Sequence, residues 1–310
     1  MRARVVLFLA ALAMIATGIL VVPKAYARFV EQSPRPAQGT VKAVSHSLKT
    51  AVQAAAPPLL EAGPVTVPAT KFFSWALYDR KSGQLAGSPN MSTQTNSTES
   101  MVKIWLVSEY LRRFTEKGQS PTPAQLSTAS TAIRDSNDTS AQTIYKANGG
   151  NASITRLISL CGLTETKVYS GSWSRTQMSA RDAVRMGLCV SDGRAAGPQW
   201  TKWVLDEMRQ VRGGVLDQPA RFAPTGGGRW GIIDGLPAEV APATSIKNGW
   251  TPLWADGLWH INCLAVHEEF ILAVQVRFPI NTSQPVAGLQ YGADICKSVT
   301  VQLVHNAEVR

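Results

Sequence analysis

The chain has 310 residues, 45% of them hydrophobic and 17% charged, an ordinary globular composition with enough apolar side chain for one large domain or two lobes. Its formal charge of +10 includes Arg2, Arg4 and Lys24 of an N-terminal leader, so the body carries about +7, a general bias. No Lys/Arg block is interleaved with aromatics, which sets nucleic acid aside as a partner.

Arg2 and Arg4 precede an apolar run from Val5 to Val22, and Ala25-Tyr26-Ala27 offers a small-x-small cleavage site. Residues 1–27 therefore read as a signal peptide or, uncleaved, as an N-terminal membrane anchor. No cysteine follows the run, which argues against a lipid anchor. The body is expected outside the cytoplasmic membrane, secreted or tethered to it. Residues 28–70 are rich in Pro, Ala, Ser and Thr; Arg28 to Gly39 reads as a spacer, and Val41 to Ala54 as either a first amphipathic helix or more spacer. Residues 71–310 form the main domain.

Phe72 to Asp79 has the pattern of a strand, Lys81-Ser82-Gly83 of a turn, and Gln84 to Gly87 of its hairpin partner. Asn96-Ser97-Thr98-Glu99-Ser100-Met101-Val102-Lys103 then leads into the apolar-periodic helix Ile104 to Phe114. Ser100 and Lys103 are three apart, a spacing that stacks both on one helix face. A serine hydroxyl becomes a nucleophile when a neighbour takes its proton, and a lysine whose pKa is lowered by burial and nearby cations does so. The plainer alternative has Ser100 capping the helix and Lys103 in solvent.

Thr122-Pro123 opens a helix to about Arg134. Ser136-Asn137-Asp138 follows, with Asp138 or Thr139 as cap of a helix closed by Gly149-Gly150, and another helix runs from Ser153 to Cys161. Ser179-Ala180-Arg181-Asp182 has the form of a capping box for a helix through Cys189, and the next starts at Pro198 with Trp200, Trp203, Val204 and Met208 on its apolar side. After Gly226-Gly227-Gly228 the period changes. Arg229 to Asp234, Thr244 to Trp250, Gly257 to Val266 and Phe270 to Phe278 read as an antiparallel meander, and Val286 to His305 as a closing helix. This order predicts an α+β fold of two lobes, an antiparallel sheet flanked by terminal helices and an all-helical insert, with a site in the crevice between them.

Four cysteines, Cys161, Cys189, Cys263 and Cys296, would sit in an oxidising compartment and allow three pairings. There is no C-x-x-C, and His46, His260, His267 and His305 show no ligand spacing, so neither metal nor cofactor is expected, and His260 and His267 read as structural.

Ser100-x-x-Lys103, Ser136-Asn137-Asp138 and Lys247-Asn248-Gly249, in that order, resemble the three motifs of the class A β-lactamase-like serine hydrolases, a family shared with penicillin-binding enzymes. The resemblance runs from about Phe72 to the C-terminus and implies a β-lactamase/transpeptidase-like fold. Ser245 to Trp250 followed by Trp259-His260-Ile261-Asn262 is similar to exported serine hydrolases of that family. It further implies Ser100 as the acylated nucleophile, Lys103 as its proton acceptor, Ser136 as proton relay to the leaving nitrogen, and Lys247 as holder of the substrate carboxylate. The backbone N–H groups of Ser100 and Trp250 would form the oxyanion hole. Asp138, Asn248, Gly249 and Trp250 would line the substrate. In that fold the pairs Cys161–Cys189 and Cys263–Cys296 join neighbouring segments.

Two departures are visible. The family's middle motif ends Asp-Asn where this chain has Asn137-Asp138, and an ionised Asp138 accepts hydrogen bonds without donating any. The family's deacylating loop glutamate has no counterpart between Tyr169 and Arg181, which leaves Glu165 as the nearest carboxylate. The expected function is an exported serine hydrolase, a monomer without cofactor, acting on a β-lactam or a D-Ala-D-Ala-type cell-wall peptide with slow deacylation. The alternative is a catalytically silent cell-wall-binding protein that keeps the fold.

Overall fold

The computed structural model describes residues 57–217, 227–281 and 285–304. The leader and the segment Val41 to Ala54 lie outside these, as does His305. Among the described residues no helix is long and apolar enough to cross a membrane.

β1 (Phe72–Asp79) is buried on both faces from Ser74 to Leu77 and turns through Gly83, in left-handed backbone, into β2 (Leu85–Gly87). The C-terminal strands β5 (Ser245–Ile246), β6 (Gly249–Leu253), β7 (Leu258–Val266) and β8 (Phe270–Pro279) complete an antiparallel sheet in the order β2-β1-β8-β7, with β5 and β6 both on the far side of β7. Ile246 faces Ala265 and Gly249 faces Asn262, so the register runs on unbroken through Lys247 and Asn248. The expected strand Thr244 to Trp250 is therefore one edge that continues to Leu253.

The closing helix spans Pro285–Leu303. It lies on the sheet face that carries Trp259, Ile261 and Cys263. Glycines one turn apart make the approach possible: a Cβ at Gly288 would stand 2.1 Å from the Trp259 indole nitrogen, and one at Gly292 would stand 2.6 Å from Ile261. Before that helix, residues 57–70 run along it, with Leu60 bridged to Val304 and Thr66 bonded to Gln302.

Between the hairpin and the late strands lies the helical insert. α1 (Lys103–Glu116), α2 (Pro123–Arg134), α3 (Asp138–Ala147), α4 (Asn151–Cys161), α5 (Ala180–Ser191) and α6 (Pro198–Arg209) follow the expected order. Short strands β3 (Asn96–Ser97) and β4 (Gln177–Met178) pair with each other across the insert. The closing helix is α7 in this order. α5 packs on the other sheet face, where Gly187 meets Ile271, Val266 and Leu264. The disulfides are Cys161–Cys189, joining α4 to α5, and Cys263–Cys296, joining β7 to α7. Closing loops of about 30 residues, each stabilises the fold by roughly 3–4 kcal/mol in the chain-entropy account.

Three local expectations are corrected. Arg229 to Asp234 is no strand: Gly231 takes φ 85°, the Asp234 carboxylate accepts its N–H at 2.8 Å, and Gly231–Gly235 closes as a 3₁₀ turn against the Cys263–Cys296 bridge. The cap of α3 is Asn137, whose side chain accepts from the Ser140 N–H, and Asp138 is thereby free for another partner. Ser179 caps α5 as expected, but the Asp182 carboxylate turns away and binds the N–H groups of Thr164, Glu165 and Thr166.

Candidate active site

Ser100 sits in a 3₁₀ turn, Glu99–Val102, that runs straight into α1. In a 3₁₀ turn residues three apart eclipse, so Lys103 stands directly after Ser100 on the same side. Backbone on both sides fixes this turn. The N–H groups of Thr98 and Glu99 donate to the carbonyls of Thr176 and Ser174, and on the opposite side Gly249 of β6 presses against it. A Cβ at Gly249 would lie 2.4 Å from the Thr98 carbonyl oxygen and 2.8 Å from the Ser100 amide nitrogen, so only glycine lets the strand come this close.

The two lysines are fully buried, and both reach Ser136. Lys103 Nζ contacts the Ser136 carbonyl oxygen, its Oγ at 3.3 Å, and Asp138 Oδ1 at 2.6 Å. Lys247 Nζ is 2.9 Å from Ser136 Oγ and 2.9 Å from the Asn248 carbonyl oxygen. Ser136 itself has φ 53°, a left-handed conformation that costs a non-glycine residue on the order of 1–2 kcal/mol. Its neighbours hold it there: Asp135 is bidentate with Arg212 at 2.7 and 2.6 Å, and Arg134 is bidentate with Glu207.

Burial pulls the Lys103 ammonium below an ordinary lysine, while the carboxylates of Asp138 and Glu99 favour its charged form. Lys247 lies well below an ordinary lysine, through burial first and then through repulsion from Lys103, with Asp138 opposing. The repulsion between the two amines therefore acts to neutralise Lys247. Two aromatic faces complete the pocket: the Trp173 ring is 5.0 Å from Lys103 Nζ, and the Trp250 ring is 5.8 Å from Lys247 Nζ.

No family model matches the sequence. Proteins from Mycobacterium bovis and Mycobacterium tuberculosis named "Putative lipoprotein LppW" are 28% identical to it over 207 residues. That match takes in 65% of this chain and 62% of theirs, so the chain spans less than two thirds of those relatives. Among solved structures, PBP-A superposes with a TM-score of 0.55 at 15% identity, over 76% of this chain and 91% of that one. The TLA-3 extended-spectrum β-lactamase gives a TM-score of 0.57 at 14% identity, over 75% and 93%. A PBP-A mutant solved as an acyl-enzyme complex with penicillin G gives 0.53 at 15% identity, over 74% and 89%. The fold is that of the class A β-lactamases and PBP-A.

Within this β-lactamase-like fold, the residues singled out in sequence divide into two groups. Lys103, Ser136, Asp138 and Lys247 form one hydrogen-bonded cluster, with Ser100 and Gly249 beside it. Among the described residues no hydrogen bond joins Ser100 Oγ to that cluster, because Lys103 Nζ is turned to Ser136 and Asp138. Asn248 departs from its expected role. Its amide donates to the Gly228 and Trp230 carbonyls at 2.8 and 2.7 Å, which ties β6 to the 3₁₀ segment behind it and turns the side chain from the cleft.

Glu165 also lies elsewhere in the β-lactamase-like fold. It pairs with Arg181 and accepts from Thr164 and from Ser179 at 2.9 Å; burial pushes its carboxyl up, but these partners outweigh it and bring it to about 2. Trp254 is exposed on the β6–β7 turn. The residue that sequence reasoning missed is Glu99, immediately before Ser100, buried with φ 47° and raised above an ordinary carboxyl by burial. Its adjacency to Ser100 was the available signal, masked because a carboxylate in the first turn of a helix is ordinarily a solvated partner of the helix dipole.

Proposed function

We propose that the protein is an exported serine hydrolase of the β-lactamase/penicillin-binding type, acting as a monomer on a β-lactam or a D-Ala-D-Ala-type amide. The observation that carries this reading is Ser136 Oγ, set 3.3 Å from Lys103 Nζ and 2.9 Å from Lys247 Nζ, beside the Ser100 turn. Two fully buried amines around one hydroxyl are costly to the fold, since each desolvated ammonium loses several kcal/mol of hydration. A proton-transfer network gives that arrangement a use.

In this mechanism Ser100 Oγ attacks the amide carbonyl and its proton passes to the amine of Lys103, which is neutral in the reactive form. The N–H groups of Ser100 and Trp250 take the developing oxyanion. Ser136 hands its proton to the leaving nitrogen as the C–N bond breaks, and regains one from Lys103, leaving an ester on Ser100. Gly249 and Trp250 line the acyl group, and Lys247 meets the substrate carboxylate, the arriving anion restoring its charge. No carboxylate stands between Tyr169 and Arg181, and Glu165 is held by Arg181, so hydrolysis of the ester is slow.

Residues 71–310 carry this activity and residues 1–27 direct export. Two disulfides among four cysteines, with none free, support an oxidising compartment. The name of the LppW relatives suggests a membrane-attached place for those proteins. In this chain an uncleaved N-terminal run would serve as such a tether.

A second reading is favoured by Asp138: a carboxylate that favours the charged form of Lys103 suits a silent cell-wall-binding protein. Labelling with a fluorescent penicillin separates the two. The first reading expects label on the wild type and none on Ser100→Ala; an unlabelled wild type overturns it. Intact-mass measurement then expects an adduct on Ser100 that persists for many minutes, and rapid turnover without adduct contradicts slow deacylation.

A further inference from the structure

A second set of titratable groups lies behind the Ser100 turn, on the β7 side. Glu99 Oε1 is 2.6 Å from Ser97 Oγ, Ser97 Oγ is 2.8 Å from His260 Nδ1, and His260 Nε2 is 2.8 Å from Asp256 Oδ2. The three contacts are continuous, and Glu99, Ser97 and His260 are all buried, while the Asp256 side chain is 41% exposed.

Proton counting decides what this chain requires. Three consecutive hydrogen bonds between two terminal carboxyl groups need three hydrogens. Neutral His260 supplies one and Ser97 supplies one. Asp256 stays ionised: burial pushes its carboxyl up, but its hydrogen bonds to His260 and the Leu258 N–H outweigh that and hold it below an ordinary carboxyl. The third hydrogen therefore sits either on Glu99, with the donations running Glu99 to Ser97 to His260 to Asp256, or on His260 as imidazolium, with Ser97 donating to an anionic Glu99. The two arrangements interconvert when two protons shift along the Ser97 hydroxyl, and every contact survives in both.

We propose that Asp256, His260, Ser97 and Glu99 form a chain holding one shared proton, and that Glu99 and His260 are positioning residues which set the charge behind the Ser100 turn. The proposal rests on the acyl-transfer reading of Ser100 only for its kinetic consequence. The charged groups facing the chain pull both ways: Asp256 favours an imidazolium at His260, while Arg277 and Arg175 oppose it and Arg175 favours an anionic Glu99. Thr251 and Arg277 flank His260 in register on β6 and β8; Thr251 also bonds Glu99, and Arg175 reaches both Glu99 and His260 electrostatically. Asp138 opposes a charge on Glu99, and Glu99 in turn favours the charged form of Lys103. Burial raises Glu99 and lowers His260, so the resting proton belongs to Glu99.

The consequence has a sign. When the shared proton is lost as pH rises, Glu99 becomes anionic without a compensating imidazolium, Lys103 is held charged, and acylation of Ser100 falls. The ¹⁵N resonances of the His260 ring, assigned by difference with His260→Gln in the whole chain, report the proton directly. Glu99→Gln places an amide donor where the acid stood and removes the anion that favours imidazolium. Ser97 then stays a donor to His260 Nδ1 at every pH, so the ring ¹⁵N step that accompanies ionisation of Glu99 in the wild type should be lost in that variant. Ser97→Ala should uncouple the two groups, moving the His260 transition while abolishing the matching inflection in the pH profile of penicillin acylation. Should Ser97→Ala not fold, Asp256→Asn at the exposed end serves, with displacement of both the ring transition and the kinetic inflection expected. A Glu99-linked ring step that survives Glu99→Gln, or a kinetic inflection that stays put when the ring transition moves, overturns the proposal. Absence of penicillin labelling at every pH would remove the acyl-transfer reading and leave the ring titration to decide the chain.

Discussion

Asp138 Oδ1 lies 2.6 Å from Lys103 Nζ, joining a carboxylate whose side chain is 80% exposed to an ammonium that is fully buried. This ion pair exists because Asn137, and not Asp138, caps α3. Reversing the two residues of the motif has put a negative charge against the amine that, in the proposed mechanism, is neutral when it accepts a proton.

Asp138→Asn should therefore make acylation faster at acidic and neutral pH. Asp138 raises the pKa of Lys103. Removing it lowers that pKa and moves the acid limb of the acylation profile down by about one pH unit. The check is the rate of fluorescent penicillin labelling between pH 5 and 9; a profile that keeps its acid limb refutes the assignment of that limb to Lys103.

Gly249→Ala tests the closeness of β6 to the Ser100 turn. The added methyl group would meet backbone atoms at 2.4–2.8 Å, atoms that cannot rotate away. A loss of about 1–3 kcal/mol in stability is expected from overpacking, read as a lower midpoint in urea. Acylation should fall more steeply than stability does, because the displaced atoms include the Ser100 amide.

Glu165 sets part of the acid stability. Its carboxyl lies at about 2 in the fold against 4.5 unperturbed, so the fold binds fewer protons than the unfolded chain between those values. The stabilisation is complete above pH 4.5 and is lost as pH falls towards 2, and solvent screening keeps it near 1 kcal/mol. Glu165→Gln should lower stability at neutral pH and flatten its decline below pH 4.5, as followed by thermal melts. Because Glu165 serves this strut, the same variant should leave the lifetime of the penicillin adduct unchanged.

Much of this molecule is legible along the chain. The Thr122 cap with Pro123, the left-handed Gly149 and Gly150, the aromatic-rich strand Phe72 to Asp79 and the β-branched strand Phe270 to Phe278 act through local backbone physics, and the elements stand where those signals put them. The disulfide pairing followed from the expected fold, since α4 with α5 and β7 with α7 are neighbours in it. Arg229 to Asp234 misled because its apolar pattern suits a strand, whereas the left-handed Gly231 beneath a disulfide breaks the extended backbone.

The order of the three motifs, the compartment implied by leader and cysteines, and the two-lobed α+β plan are properties of local sequence, because each depends on residues a few positions apart. The direction in which each polar side chain points is a different matter. Whether Asn248 faces the cleft or Gly228, whether Asp138 caps a helix or binds Lys103, and whether Glu99 joins His260 depend on contacts between residues 18 to more than 160 positions apart. Those choices are made by competition for partners in a desolvated interior, where an unpaired polar group costs several kcal/mol, and that competition exists only once the chain has closed.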